Sequence, residues 1–312
     1  MGAMYFGGFL IGTLSVGVLK TAVMILSIVL LGQVVLGRRG SARSGVSLIA
    51  SEGYRRIGAL LLVGLGSFVL SELTCATEIY VLYRPTAALR MVHSYASALG
   101  AALLVYATAL ALDRRALHYF DESKHCAFIG LCRGCPRREG RSCRLHGLFF
   151  WALAFLTVMA VPLLWIPVRD FVVDPAGVAL SSPSLNAFFD EKLAPMLTRT
   201  LPHWSVESLK FTIPSAMSLA EFRVIPAASI VLGVAAMALS FVRRWDYVAF
   251  ALACLAAGPL AYAYLEAAIY QLLPHVYLGS LGHEIAELIG LLLLRSVLHE
   301  VLGNAPAAVA AR

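Results

Sequence analysis

Seven side chains with metal-binding chemistry interrupt the long apolar runs of this sequence. They are carboxylates, imidazoles and one thiol: Glu72, Cys75, His93, Glu266, His283, Glu284 and Glu287. Such groups are costly to place inside a membrane, so each one is a candidate for function. Carboxylates and imidazoles together suit iron, zinc or manganese, and Cys75 would add a soft ligand. We therefore expect a metal ion, iron or zinc, at a site formed by these residues.

The positions of these residues along their apolar runs predict that they meet. Glu72 and Cys75 are three residues apart, and His283 and Glu287 are four apart, so each pair shares one face of a helix. At a helical rise of about 1.5 Å per residue, most of the seven lie roughly 22–30 Å from the cytoplasmic end of their run. Lys20 has a similar depth in the first run and is expected to be the charge partner of Glu72. The spacing thus predicts one site in the outer half of the membrane.

The same layer offers a second kind of cofactor site. His93 and His283 lie on different runs at similar depth, so they would serve as axial ligands of a haem b. The surplus of glutamates favours a non-haem metal over haem. The alternative is that these polar groups only hold the helices together through hydrogen bonds and ion pairs.

A second candidate metal site is a cluster of cysteines between two apolar runs. Four of the six cysteines fall within eighteen residues: Cys126, Cys132, Cys135 and Cys143. Their loop, residues 113–147, is rich in arginine and is predicted to be cytoplasmic, where disulfides are disfavoured. Four thiolates can hold Zn²⁺ or an iron–sulfur cluster, and we expect one of the two. If the loop lies outside the cell instead, the same residues predict two disulfides.

The composition places these groups in a membrane protein. The chain has 312 residues, of which 60% are hydrophobic and only 14% charged, with a mean hydropathy of +0.80. These values exclude an ordinary soluble protein, a disordered chain and a nucleic-acid-binding domain. A helix needs about 20 apolar residues to cross a bilayer. Seven runs qualify approximately: 5–36, 57–82, 91–112, 148–168, 224–242, 247–270 and 276–297. The sequence therefore predicts an all-α bundle of about seven transmembrane helices, forming a single domain over residues 1–312.

The basic residues predict the orientation of this bundle. Seventeen arginines and lysines fall on the side that holds residues 113–147, and seven fall on the other side. The side richer in basic residues should be cytoplasmic, which places the N-terminus outside and the C-terminus inside. The largest outer segment is 169–223, within which 184–197 has the apolar spacing of an amphipathic helix. We expect a bacterial or archaeal cytoplasmic membrane.

Three functions are compatible with these sites. The first is a metal-dependent redox protein, or the membrane subunit of an oxidoreductase, that exchanges electrons with quinone or with partner subunits. The second is a divalent-metal or proton-coupled transporter that uses the same intramembrane residues. The third is an intramembrane metallohydrolase, because His283-Glu284-x-x-Glu287 is similar to the H-E-x-x-H zinc motif but has Glu at its last position. The sequence favours the first function.

Overall fold

Nearly all of the described residues are helical. The structure is a computed structural model, and it describes residues 18–43, 52–77, 81, 87–118, 120, 126, 144–161, 164, 220–242, 245–272 and 276–303. Within these ranges there are seven α-helices and no strand: α1 (Lys20–Arg43), α2 (Glu52–Thr77), α3 (Ala87–Leu112), α4 (Arg144–Ala160), α5 (Ile225–Ser240), α6 (Asp246–Leu272) and α7 (Val276–Gly303). One helix falls in each predicted apolar run, which confirms the all-α prediction for these residues.

Three of the described helices are long and apolar enough to cross a membrane. The qualifying segments are Arg56–Thr77 of α2, Met91–Leu112 of α3 and Asp246–Leu265 of α6. Three shorter apolar segments lie in α1, α4 and α5. These lengths and compositions support a membrane protein, whereas the number of spans and their orientation remain predictions.

Large apolar side chains also point away from the bundle. Trp151 is 77% exposed, Val231 67% and Leu293 64%, and these residues lie on three different helices. Monomeric soluble proteins rarely expose broad apolar surfaces, because water makes such surfaces unfavourable. Lipid acyl chains would cover these side chains, so the outer surface agrees with the helix lengths.

Helix α6 lies at the centre of the packing and has two buried faces. Phe250 and Cys254 face a core that is also formed by α1, α2, α3 and α7. Ala253 and Leu260 face a second core, formed with α4 and α5. Because α6 separates the two cores, it joins both halves of the described bundle.

Small residues allow the central helices to approach closely. A Cβ atom at Gly258 of α6 would lie 2.5 Å from the backbone oxygen of Ala101 on α3. A Cβ atom at Gly100 of α3 would lie 3.2 Å from the backbone oxygen of Gly64 on α2. Such contacts are typical of helix interfaces in membranes. The hydrophobic effect does not drive helices together in lipid, and small residues let their backbones pack in close van der Waals contact.

Local backbone features mark the C-terminal end of α3 and the N-terminal end of α5. A π-helical turn, Asp113–Leu117, extends α3 and ends at His118, whose φ of 47° is left-handed. The backbone N–H of His118 donates to the oxygen of Asp113 at 2.6 Å. A second π-turn, Ala220–Val224, leads into α5. Pro226 lies in the first turn of α5, where the N–H that proline lacks would have no acceptor within the helix.

Two predicted features fall largely outside the described residues. The amphipathic helix at 184–197 is one of them, and only residues 220–223 of the outer segment are described. The cysteine loop is the other, because Cys132, Cys135 and Cys143 are not described. Cys126 is described and is partly buried. Both features stay predictions.

Candidate functional site

A buried group of five ionisable residues forms where α1, α2 and α7 meet. We call Lys20, Glu72, His283, Glu284 and Glu287 the charge cluster. Lys20 is the first residue of α1, Glu72 lies near the end of α2, and the other three lie in the second and third turns of α7. Helix α1 packs against both α2 and α7, so Lys20 reaches acids on each side of it. All five residues are buried, and Glu72 has no exposed surface.

Lys20 is at the centre of the charge cluster. Its Nζ atom lies 2.9 Å from Oε2 of Glu72, 3.2 Å from Oε1 of Glu284 and 3.8 Å from Oε2 of Glu287. The lysine therefore bridges α2 and α7 through carboxylates on both helices. On the far side of Glu287, its Oε1 atom lies 3.1 Å from Nε2 of His283, one helical turn away.

The carboxylates have few aligned donors despite these short distances. Five of their six oxygens are buried and accept no aligned hydrogen bond within the described part of the chain, the exception being Oε1 of Glu284. Three of these five, Oε2 of Glu72 and both oxygens of Glu287, still lie 2.9–3.8 Å from a nitrogen of Lys20 or His283. A buried polar atom that accepts no hydrogen bond is costly, and such atoms are rare in folded proteins. The cluster therefore has capacity for additional protons or for a cation.

The charges of the cluster do not balance by themselves. Three carboxylates face one ammonium group, and an ionised set with a neutral imidazole has two more negative than positive charges. An excess of buried charge of one sign is strongly unfavourable in a medium of low dielectric. With the described residues alone, the cluster reaches neutrality by holding protons or by binding a cation.

Three of the predicted ligands form a group of suitable size for a metal ion. One donor atom from each of His283, Glu284 and Glu287 lies within 4.8 Å of the other two. The residues are on one helix, at positions i, i+1 and i+4. Glu72 is not in this group, and its carboxylate faces the ammonium of Lys20 at 2.9 Å.

His93 has partners of its own on α2. Its Nδ1 atom lies 2.8 Å from Oγ of Ser71, and that hydroxyl lies 2.5 Å from Oγ of Ser97. The Ser71 hydroxyl also donates to the backbone oxygen of His93, at 3.1 Å. This network joins α2 to α3, and it occupies one ring nitrogen of the histidine.

Two further predicted ligands lie at the edge of the cluster. Cys75, one turn after Glu72, is close enough to interact electrostatically with Lys20 and with the three carboxylates. His93 is likewise close enough to interact electrostatically with Lys20, His283 and Glu287. The structure therefore places these residues beside the charge cluster, while the side chain of Glu266 lies outside the described residues.

Several contacts near the cluster have no counterpart in the sequence analysis. The hydroxyls of Ser71 and Ser97 are the first, and the i, i+4 spacing of His93 and Ser97 is a signal that would have pointed to one of them. The ring of Tyr262 on α6 meets the ring of His283 edge-on, with centroids 6.4 Å apart. Tyrosine inside an apolar run gives no such signal, because it is equally typical of ordinary packing.

A second polar group lies at the opposite end of α2. One Arg56 nitrogen donates to the hydroxyl of Tyr106 at 3.1 Å, and the guanidinium lies 4.8 Å from the ring centroid of Tyr247. These residues connect α2, α3 and α6. Arginine over aromatic rings is a common stabilising contact, so this group has a sufficient structural explanation.

Comparisons of the chain with protein-family models, with curated proteins and with solved structures found no match. The function is therefore inferred from the chemistry of the charge cluster.

Proposed function

We propose that this chain is an integral membrane transport protein that moves a cation, either a proton or a divalent metal ion, through the charge cluster. The observation that supports this proposal is the position of Lys20. Its ammonium group lies within 4 Å of Glu284 and Glu287, two of the three residues grouped as candidate metal ligands. The cluster thus contains a cation of its own beside the oxygens that would bind another.

A transported ion and a resident ion make different demands on a site. A transport site must be stable both loaded and empty, and its affinity must be weak enough to release the ion. A built-in ammonium group meets both demands, because it partly neutralises the carboxylates of the empty site and repels an incoming cation. A site for a permanently bound metal gains nothing from such repulsion. The arrangement is therefore better suited to exchange than to retention.

The redox function that the sequence favours first stays a prediction. It requires an iron–sulfur centre at Cys126, Cys132, Cys135 and Cys143, or a redox-active metal or haem b at the outer site, because zinc at either place would not carry electrons. An optical spectrum of the purified protein tests it, because haem gives a Soret band and an iron–sulfur cluster gives broad visible absorbance. Quinone and partner subunits belong to this function. The intramembrane metallohydrolase is a separate alternative that would use the same ligands as the outer site.

The transport proposal is tested in liposomes that contain the purified protein. The lumen holds a pH-sensitive dye in one preparation and a metal-sensitive dye in another, and an outward or inward gradient of the cation is applied. We expect a flux of protons or of a divalent metal above that of empty liposomes, and we expect Glu287→Gln to abolish it.

The matched control is Glu300→Gln, on the same helix about three and a half turns beyond Glu287. This variant should retain the wild-type flux. Equal fluxes for wild type, Glu287→Gln and empty liposomes would contradict the proposal for both cations.

A further inference from the structure

We propose that the charge cluster binds one divalent first-row transition-metal ion through His283, Glu284 and Glu287, with Lys20 remaining in place as a positioning residue. This inference rests on the proposed function and narrows its cation to one class. In this proposal, one oxygen of Glu284 and one of Glu287 contact the ammonium group of Lys20, and the other oxygen of each binds the metal ion.

The carboxylate oxygens are already divided in this way. Oε1 of Glu284 and Oε2 of Glu287 face the ammonium group of Lys20. The remaining oxygen of Glu284, Oε2, is buried and accepts no hydrogen bond from any described residue. The remaining oxygen of Glu287, Oε1, faces the imidazole of His283. A metal ion between these two oxygens and the imidazole would leave both lysine contacts intact.

The charge of the cluster favours a divalent ion. Lys20 and one divalent ion together supply three positive charges, which balance the carboxylates of Glu72, Glu284 and Glu287 when His283 is neutral. A monovalent ion would leave one negative charge buried, and a trivalent ion would leave one positive charge. Buried charge is tolerated when it is paired, so the neutral combination is preferred.

The ligand types favour a transition metal over calcium or magnesium. Calcium and magnesium prefer oxygen ligands throughout, whereas imidazole suits manganese, iron, cobalt and zinc when it is combined with carboxylates. One donor atom from each of the three residues lies within 4.8 Å of the other two, so a small movement of side chains would close the group around an ion. Three protein ligands also leave coordination positions open, as an ion that enters and leaves requires.

Lys20 would position Glu284 and Glu287 by contacting the carboxylate oxygens that do not bind the metal ion. It holds one oxygen of each ligating carboxylate, and it is itself held by Glu72 at 2.9 Å. Removing a residue that contacts and orients the metal ligands typically lowers metal affinity by about 10–100-fold. Glu72→Gln should therefore weaken binding within that range while one ion per chain still binds. Loss of a ligand should weaken binding by more than about 100-fold.

The experiment measures Mn²⁺ binding to the purified full-length protein by electron paramagnetic resonance of the free ion. Mn²⁺ is chosen because it prefers carboxylate and imidazole over thiolate, which keeps the cysteine loop out of the measurement. We expect one ion per chain in the wild type. His283→Ala and Glu284→Gln should lose it, and His299→Ala and Glu300→Gln on the same helix should keep it. Helicity and elution volume of each variant establish that it is folded.

A second readout requires no variant. Pulsed resonance of bound Mn²⁺ should show coupling to a ¹⁴N nucleus, because a coordinated imidazole is part of the proposed site. Absence of stoichiometric Mn²⁺ binding in the wild type, absence of nitrogen coupling, or undiminished binding in folded His283→Ala would each overturn the metal assignment. Proton flux in liposomes that survives such a result would retain the proposed function, so the two failures are distinguishable.

Discussion

Lys20 is nearly completely buried, and its three carboxylate neighbours make its removal more damaging than the removal of any one of them. Lys20→Met would leave three buried acids without their ammonium group. Breaking a buried ion pair by removing one partner costs about 3–5 kcal/mol of unfolding free energy. Glu72→Gln should cost less, because Lys20 keeps Glu284 at 3.2 Å. The expected order of melting temperatures in detergent is wild type, then Glu72→Gln, then Lys20→Met.

The double variant Lys20→Met with Glu72→Gln provides the control for this order. It removes one positive and one negative charge together, so it should be more stable than Lys20→Met alone. If Lys20→Met melts at the wild-type temperature, the ammonium group contributes nothing to folding, and the carboxylates are neutralised by other means.

The hydroxyl of Ser71 tests whether His93 serves helix packing. Ser71→Ala would leave the hydroxyl of Ser97 without this partner, while Nδ1 of His93 keeps the backbone oxygen of Ser71 at 3.0 Å, so the change should cost about 0.5–1.5 kcal/mol. Ser27→Ala is a matched control, because Ser27 is also buried and, among the described residues, its hydroxyl donates within its own helix, to the oxygen of Met24 at 2.8 Å. Thermal unfolding should separate the two variants, and equal melting temperatures would contradict a role for the network in joining α2 and α3.

Some of the site was predictable from residue spacing, and some was not. The i, i+4 spacing of His283 and Glu287 predicts a shared face, and a similar depth predicts that Lys20 and Glu72 approach one another. Depth alone cannot say which acids surround the lysine, because that depends on the rotation of each helix about its axis. The contact between Lys20 and Glu284 follows from that rotation, which is fixed by packing against neighbouring helices.

At the scale of helices, the approach of α3 to α6 depends on Gly258. Gly258→Ala would place a Cβ atom 2.5 Å from the backbone oxygen of Ala101, and backbone cannot move aside as a flexible side chain can. Overpacking of this kind costs about 1–3 kcal/mol. Gly66→Ala on α2 is the matched control, because nothing lies within 4 Å of the added atom.

Thermal unfolding in detergent should show a lower melting temperature for Gly258→Ala and little change for Gly66→Ala. The reverse order would mean that α3 and α6 do not meet at this glycine. Because α6 contributes to both buried cores, the change at Gly258 should also reduce the cooperativity of unfolding.

The sequence predicted the helices better than it predicted their arrangement. Each apolar run is long enough to specify a helix, because a backbone in lipid must satisfy its own hydrogen bonds. The central position of α6 was not predictable, since Ala253, Ala256 and Leu260 differ little from the alanines and leucines that face outward elsewhere. In a membrane, apolar side chains suit both lipid and protein neighbours, so hydropathy does not distinguish the buried face.

At the scale of the whole molecule, the orientation decides what each site can do. Seventeen of the basic residues lie on the side assigned to the cytoplasm, and seven lie on the other side. This assignment places the charge cluster nearer the outer surface and the four loop cysteines in a reducing compartment. A cation would then reach the cluster from outside by the shorter path, and the cysteines would bind a metal rather than form disulfides.

Reporter fusions test this orientation directly. A reporter that is active only in the cytoplasm should be active at the C-terminus, and a reporter that is active only outside should be active after Ser181, because positive charge is retained inside during insertion. Each fusion with the opposite reporter is the control and should be inactive. If both results are reversed, Cys126, Cys132, Cys135 and Cys143 face an oxidising compartment and become candidates for two disulfides. The charge cluster would then lie nearer the cytoplasm, and cations would enter it from the cell interior, so the direction of flux measured in liposomes would have to be reassigned.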